Sequence, residues 1–327
     1  MVNVAVLDDY QEVALQMTDW SVLPGDVAVN VYQDHLTSED ALVSRLNSAH
    51  IIAAMRERTA FSRGLLERLP NLRLLITTGP RNASIDVKAA TELGIVVSGT
   101  GGVATPTAEL TWALILALLR SIPHEDREIR TGRWETTVGV GLFGKTLGVL
   151  GLGNLGSQVA SVGRAFGMSV VAWSQNLTED VASKVGAKLV TKNQLFSMSD
   201  IVTIHLRLSD RTFGLVGLPE LQLMKPDAYL INTSRGPIVD EKALIHCLQS
   251  HSIAGAGLDV FDQEPIPMNH PLLRMENTVL TPHLGYVTVE TYRVFFRDIV
   301  ENITTFLSGN PARVLNPEVL GKTRGIG

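Results

Sequence analysis

Short runs rich in valine, isoleucine and leucine recur along the chain at 4–7, 50–54, 72–77, 147–150, 169–173, 200–205, 228–232, 256–260 and 278–280, most of them followed by a helical pattern. Strands that are apolar throughout must be covered on both faces, and strands alternating with helices supply that cover in parallel sheets. The pattern predicts an α/β fold with doubly wound parallel sheets. At roughly 100–200 residues per domain, 327 residues suggest two domains.

Composition narrows the class further. Hydrophobic residues make up 45 % and charged residues 19 %, enough apolar matter for a true core. A net charge of −5 argues against work done by bulk attraction to nucleic acid or an anionic membrane. The single cysteine, Cys247, excludes an intrachain disulfide and a thiolate zinc cluster, so no metal site is expected. A cytoplasmic protein fits that cysteine usage. The start of the chain lacks the cationic and long apolar segments of a secretory signal and reads as a buried strand ending at Asp8 and Asp9.

Two stretches match the glycine pattern G-x-G-x-x-G. The one at 139–144 follows no strand and opens no helix, and is read as a loop. Gly151, Gly153 and Gly156 directly follow the strand at 147–150 and open a helical pattern. That context fits a dinucleotide cradle: one glycine permits the tight turn, the next admits a pyrophosphate, the third lets helix pack on strand, and the amides around Asn154 and Leu155 face the anion. An acid for the ribose 2′-hydroxyl of NAD is expected roughly 20 residues on, but Ser174 stands at the end of the next strand. A neutral residue there admits a 2′-phosphate, so NADP or dual use with NAD is expected.

Three later segments put polar residues just after strands, where ligands bind on open parallel sheets: Asn232-Thr233-Ser234-Arg235-Gly236, the stretch from Asp259 to Glu264, and Thr281-Pro282-His283. With the glycine cradle, in this order, the sequence resembles the D-isomer-specific 2-hydroxyacid dehydrogenases over nearly its whole length. The resemblance implies an NAD(P)-dependent oxidoreductase that interconverts a 2-oxoacid and a D-2-hydroxyacid. His283 would be the acid/base, Glu264 its carboxylate partner, and Arg235 the clamp on substrate. Asp259 and Thr233 would serve the cofactor. Histidine titrates near neutrality, a neighbouring carboxylate orients its ring, and a guanidinium matches a carboxylate in bidentate fashion. A histidine-containing family motif corresponds to His205, but Arg207 replaces the proline usual two positions on, and Arg207 is a candidate for a 2′-phosphate.

The same resemblance implies a Rossmann-type NAD(P)-binding domain, about 105–292, inserted into a flavodoxin-like substrate domain, about 1–104 and 293–327. In the substrate domain Arg56, Gly79 and Pro80 match loops that face substrate, although Arg81 and Asn82 replace a common glycine and aromatic. The apolar helix at 107–119 is where family members form homodimers, and a homodimer is expected. No membrane or nucleic-acid partner is expected. Two other readings are a dinucleotide-sensing protein resembling the family's corepressors and a phosphite or formate dehydrogenase. Formate enzymes carry glutamine where Glu264 stands, which counts against the last.

Overall fold

A computed structural model describes residues 1–321. The described chain divides into two compact units, 1–103 with 288–321, and 104–287. The second passage thus falls before the C-terminal helix, at 287/288, rather than inside it at 292/293. That helix has a continuous apolar stripe and stays whole.

The first unit begins with β1 (Val2–Val6), β2 (Val27–Val31), α1 (Glu39–Leu46), β3 (Ile51–Ala54), α2 (Arg63–Glu67), β4 (Leu74–Thr77), α3 (Val87–Glu92) and β5 (Val96–Ser98). Its strands are all parallel, in the order β2-β1-β3-β4-β5, the flavodoxin-like arrangement. Ala5, Ile52, Ala54, Leu75 and Val97 face one core with Phe61 and Leu65. The intervening strand residues point to the other face, as the period of two requires.

The second unit opens with α4 (Pro106–Leu119) and α5 (Ile122–Arg130). It continues through β6 (Thr146–Leu150), α6 (Asn154–Ala165), β7 (Ser169–Trp173), α7 (Glu179–Lys184), β8 (Lys188–Leu189), α8 (Lys192–Met198) and β9 (Ile201–Ile204). It closes with α9 (Leu218–Leu223), β10 (Tyr229–Asn232), α10 (Glu241–Gln249), β11 (Gly255–Leu258) and β12 (Thr278–Leu280). The sheet order β12-β11-β10-β9-β6-β7-β8 is the doubly wound Rossmann arrangement, with the change of direction between β6 and β9. Leu150, Val202, Ile204 and Leu230 pack on one face, and Leu147, Val149, Ile201 and Ile231 on the other.

α11 (Val289–Leu307) returns the chain to the first unit, where it packs on β4. Tyr292, Phe295, Phe296, Ile299 and Ile303 form its buried stripe. Three strands escaped the sequence reading: β2 is a half-exposed edge strand, while β5 and β8 have only three and two residues. Pro106 occupies the first turn of α4, and the Thr105 hydroxyl before it makes no capping bond. Among the described residues no helix is long and apolar enough to cross a membrane.

Candidate active site and cofactor cradle

The second unit gathers its polar residues at the C-terminal ends of its strands. Gly151, just after β6, has φ +105°. A Cβ there would lie 2.6 Å from the His205 carbonyl oxygen. A Cβ on Gly156 would stand 2.0 Å from the Gly151 carbonyl oxygen, so α6 packs on the turn only because that residue is glycine. Gly153 differs: a Cβ there would meet nothing within 4 Å. Its open side, together with a helix start that no side chain caps, leaves the amides at Asn154 and Leu155 for an anion. These residues fit the pyrophosphate of a dinucleotide.

Ser174 Oγ accepts a hydrogen bond from the Leu152 N–H at 3.0 Å, bracing the turn with a neutral group. Beside it Trp173, Gln175, Leu206, Arg211, Thr212 and Leu215 line a cavity of about 340 Å³. Arg207 is not among these residues; its carbonyl accepts from the Thr212 hydroxyl at 2.6 Å. His205 Nε2 pairs with Thr203 Oγ1 at 2.9 Å, while its Nδ1 is buried with no hydrogen-bond partner among the described residues. Burial pushes the His205 imidazole down to about 4.

The segment after β10 is tied at several points. Asn232 accepts from the Ser234 N–H at 3.0 Å and donates to the Arg235 carbonyl at 3.0 Å. The Ser234 hydroxyl donates to the Ile204 carbonyl at 2.7 Å, and Arg235 Nη1 to the Ser234 carbonyl at 2.7 Å. A Cβ at Gly236 would overlap the Phe261 backbone at 2.1 Å, so the arginine segment lies against the one that leads to Glu264. Glu264 Oε1 accepts from the Phe261 N–H at 2.9 Å, and Oε2 from His283 Nδ1 at 2.5 Å. His283 Nε2 has no partner among the described residues, and the Tyr286 ring meets the imidazole edge-on at 5.7 Å.

His283 has φ +55°, a left-handed backbone that a side-chain-bearing residue adopts only when its surroundings demand it. Asp259 makes that demand. Its fully buried carboxylate accepts from the Thr281 hydroxyl (2.6 Å), the Leu284 N–H (2.7 Å) and the Gly285 N–H (2.9 Å), and its carbonyl accepts from the His283 N–H (2.9 Å). Burial pushes the Asp259 carboxyl upward against those hydrogen bonds and the nearby His283.

Helix α4 holds the same segments from another side. The Thr107 hydroxyl donates to the Gly285 carbonyl at 2.8 Å, and the Thr111 hydroxyl shares a 2.9 Å hydrogen bond with Thr233. The sequence reading gave no site role to Thr107 or Thr111, and none to Thr281 beyond its place before His283. Two hydroxyls one turn apart on an apolar helix were the available signal for the first pair.

In the first unit Arg56 has φ +50°, and its Nη1 donates to the Thr78 carbonyl at 3.1 Å. A Cβ at Gly79 would lie 1.8 Å from that nitrogen, so the guanidinium covers the glycine. The Gly79 N–H, expected to face a substrate carboxylate, donates instead to Thr100 Oγ1 at 2.7 Å. Pro80 has no N–H to offer. In this unit Arg56, which pairs with Glu57 at 3.6 Å, and the exposed Arg81 are the cations beside β4. Asn82 is buried and structural, donating to the Arg56 carbonyl at 2.5 Å and to Thr77 Oγ1 at 3.0 Å.

Comparison with known proteins is consistent with this arrangement. Residues 112–285 match the model of the D-isomer specific 2-hydroxyacid dehydrogenase NAD binding domain. A glyoxylate reductase of Aeropyrum pernix is 43 % identical over 267 residues, covering 78 % of this chain and 80 % of that protein. A D-3-phosphoglycerate dehydrogenase of Methanocaldococcus jannaschii is 35 % identical over 99 % of this chain, which spans 62 % of that longer protein. The crystal structure of a phosphoglycerate oxidoreductase from Vibrio cholerae superposes with a TM-score of 0.89 at 35 % identity, covering 94 % of this chain and 99 % of that one.

Proposed function

The chain belongs to the D-isomer-specific 2-hydroxyacid dehydrogenase family and is an NAD(P)-linked oxidoreductase of that kind, and we propose that it reduces a small 2-oxoacid to the D-2-hydroxyacid with His283 as proton donor. The observation that carries this reading is the His283–Glu264 pair, in which Nδ1 is held by the carboxylate and Nε2 is left for a reacting oxygen. The nicotinamide cofactor supplies the hydride. His283 delivers the proton to the oxygen that becomes the hydroxyl, and takes it back in the reverse direction. Glu264 fixes the ring's orientation, and the Arg235 guanidinium grips the substrate carboxylate as a two-pronged donor. Asp259 holds the loop that presents His283.

The cofactor residues are Gly151, Gly153, Asn154, Leu155 and Gly156 at the pyrophosphate, and Ser174 and His205 beside the adenosine end, with Thr233 and Asp259 bracing the nicotinamide end. The neutral Ser174 supports use of NADP, alone or together with NAD. Arg56 and Arg81 support a substrate with anionic character beyond its one carboxylate. Glyoxylate and phosphoglycerate, named for the relatives, bracket the range to test. A homodimer is supported by the apolar side chains exposed on and after α5, with Ile129 at 53 %, Trp134 at 74 %, Val138 at 98 % and Phe143 at 89 % exposure.

The experiment is a panel of 2-oxoacids run with NADH and NADPH, with product configuration determined. Turnover that yields the D-hydroxyacid and is lost in His283→Ala is expected. Tight dinucleotide binding with no turnover across the panel would replace this reading with that of a sensor.

A further inference from the structure

We propose that Arg211 is the residue that recognises the 2′-phosphate of NADP, an inference that rests on the dinucleotide reading of the second unit. The cavity beside Ser174 lies at the C-terminal edge of the sheet, where β7 and the segment after β9 flank the glycine turn of β6. Trp173, Leu206 and Leu215 give it apolar walls suited to a flat heterocycle, while Gln175, Arg211 and Thr212 supply the polar groups. The wall contains no carboxylate. At the end of β7, where a carboxylate would accept two ribose hydroxyls and repel a phosphate, the Ser174 hydroxyl is engaged with the Leu152 N–H.

Arg211 is projected into this place by a folded turn. The Thr212 hydroxyl accepts from the Ser209 N–H at 2.8 Å and donates to the Arg207 carbonyl at 2.6 Å. The Phe213 N–H bonds to the Ser209 carbonyl at 2.9 Å, and the Gly214 N–H to the Pro237 carbonyl at 2.8 Å. The backbone carrying Arg211 is therefore fixed, while its exposed guanidinium makes no hydrogen bond or ion pair among the described residues. A cation at the rim of an adenosine-shaped cavity, with a neutral serine in place of the usual acid, matches a phosphorylated ribose. Asp210 precedes it in the turn but does not line the cavity. Arg207, the earlier candidate, does not line it either.

The test is calorimetric titration of 2′,5′-ADP and 5′-AMP into the wild-type protein, Arg211→Ala and Arg207→Ala. The expected result is tighter binding of 2′,5′-ADP by the wild type, a loss of about ten- to a hundredfold for that ligand in Arg211→Ala, and no change for 5′-AMP. Arg207→Ala should match the wild type. Unchanged affinity for 2′,5′-ADP in Arg211→Ala, with circular dichroism showing a folded protein, overturns the proposal while leaving the cofactor domain intact. Failure of the wild type to bind either nucleotide overturns the dinucleotide reading itself.

Discussion

His283 Nδ1 lies 2.5 Å from Glu264 Oε2, and the same carboxylate is anchored through Oε1 to the Phe261 N–H. The ring is thus fixed by a group that is itself fixed to backbone. Carboxylates that orient a metal-bound imidazole contribute about 10–100-fold to function, and Glu264 orients a free imidazole in the same way. Glu264→Gln is expected to lower kcat by about that factor, and His283→Ala by about 10²–10⁴. Steady-state kinetics check both, and a Glu264→Gln enzyme with wild-type kcat over the whole pH range would show that the pair does not serve catalysis.

Asp259 offers only acceptors to a hydroxyl and two amides, so an amide side chain must turn a donor toward a donor. Asp259→Asn is expected to cost about 1.5–3 kcal/mol of stability and most of the turnover, although the residue itself transfers no proton. Thermal unfolding and kcat should fall together. A variant that unfolds like wild type and turns over normally would remove Asp259 from the positioning of His283.

The glycines of the cradle separate packing from binding. Gly156→Ala must push against the Gly151 carbonyl and should lower Tm. Gly153→Ala meets no protein atom, so Tm should stay put while the dissociation constant for the dinucleotide rises. Equal dinucleotide affinity in Gly153→Ala and wild type would place the pyrophosphate elsewhere.

His205 gives the fold a pH dependence with a defined sign. Its folded value near 4 lies below the unfolded value of about 6.5, so the unfolded chain binds the proton more tightly. Its stabilising contribution is complete above pH 6.5 and is lost as pH falls towards 4, at no more than about 1.4 kcal/mol per pH unit. Denaturant unfolding between pH 7 and 4 should show this slope, and His205→Gln should flatten it. An identical slope in the variant would assign the acid sensitivity to other groups.

Much of this was legible in the chain because strands buried on both faces leave a pattern of apolar runs, and because the Gly151 turn needs its glycine neighbours in a strand-to-helix context. Two strands were not legible for different reasons: β8 has only two residues, and β2 is a half-exposed edge, so neither carries the apolar signature of a buried strand. Arg235, Glu264 and His283 stood out through their place after strands and their family likeness. Thr107, Thr111 and Thr281 did not, since a hydroxyl's worth depends on which backbone atom the fold brings to it. The bonding of Gly79 was hidden for a related reason. Its amide is taken by Thr100, which lies 21 positions away and is unrelated to it by any sequence pattern.

Thr107 and Thr111 stand one turn apart on the same rod of helix, one bonded to the segment that carries His283 and the other to the segment that carries Arg235. A slide of α4 along its axis therefore carries both segments the same way. On the proposed reading, the spacing between His283 and Arg235 is steadied by one helix bonded to both of their segments, rather than left to two separate loops.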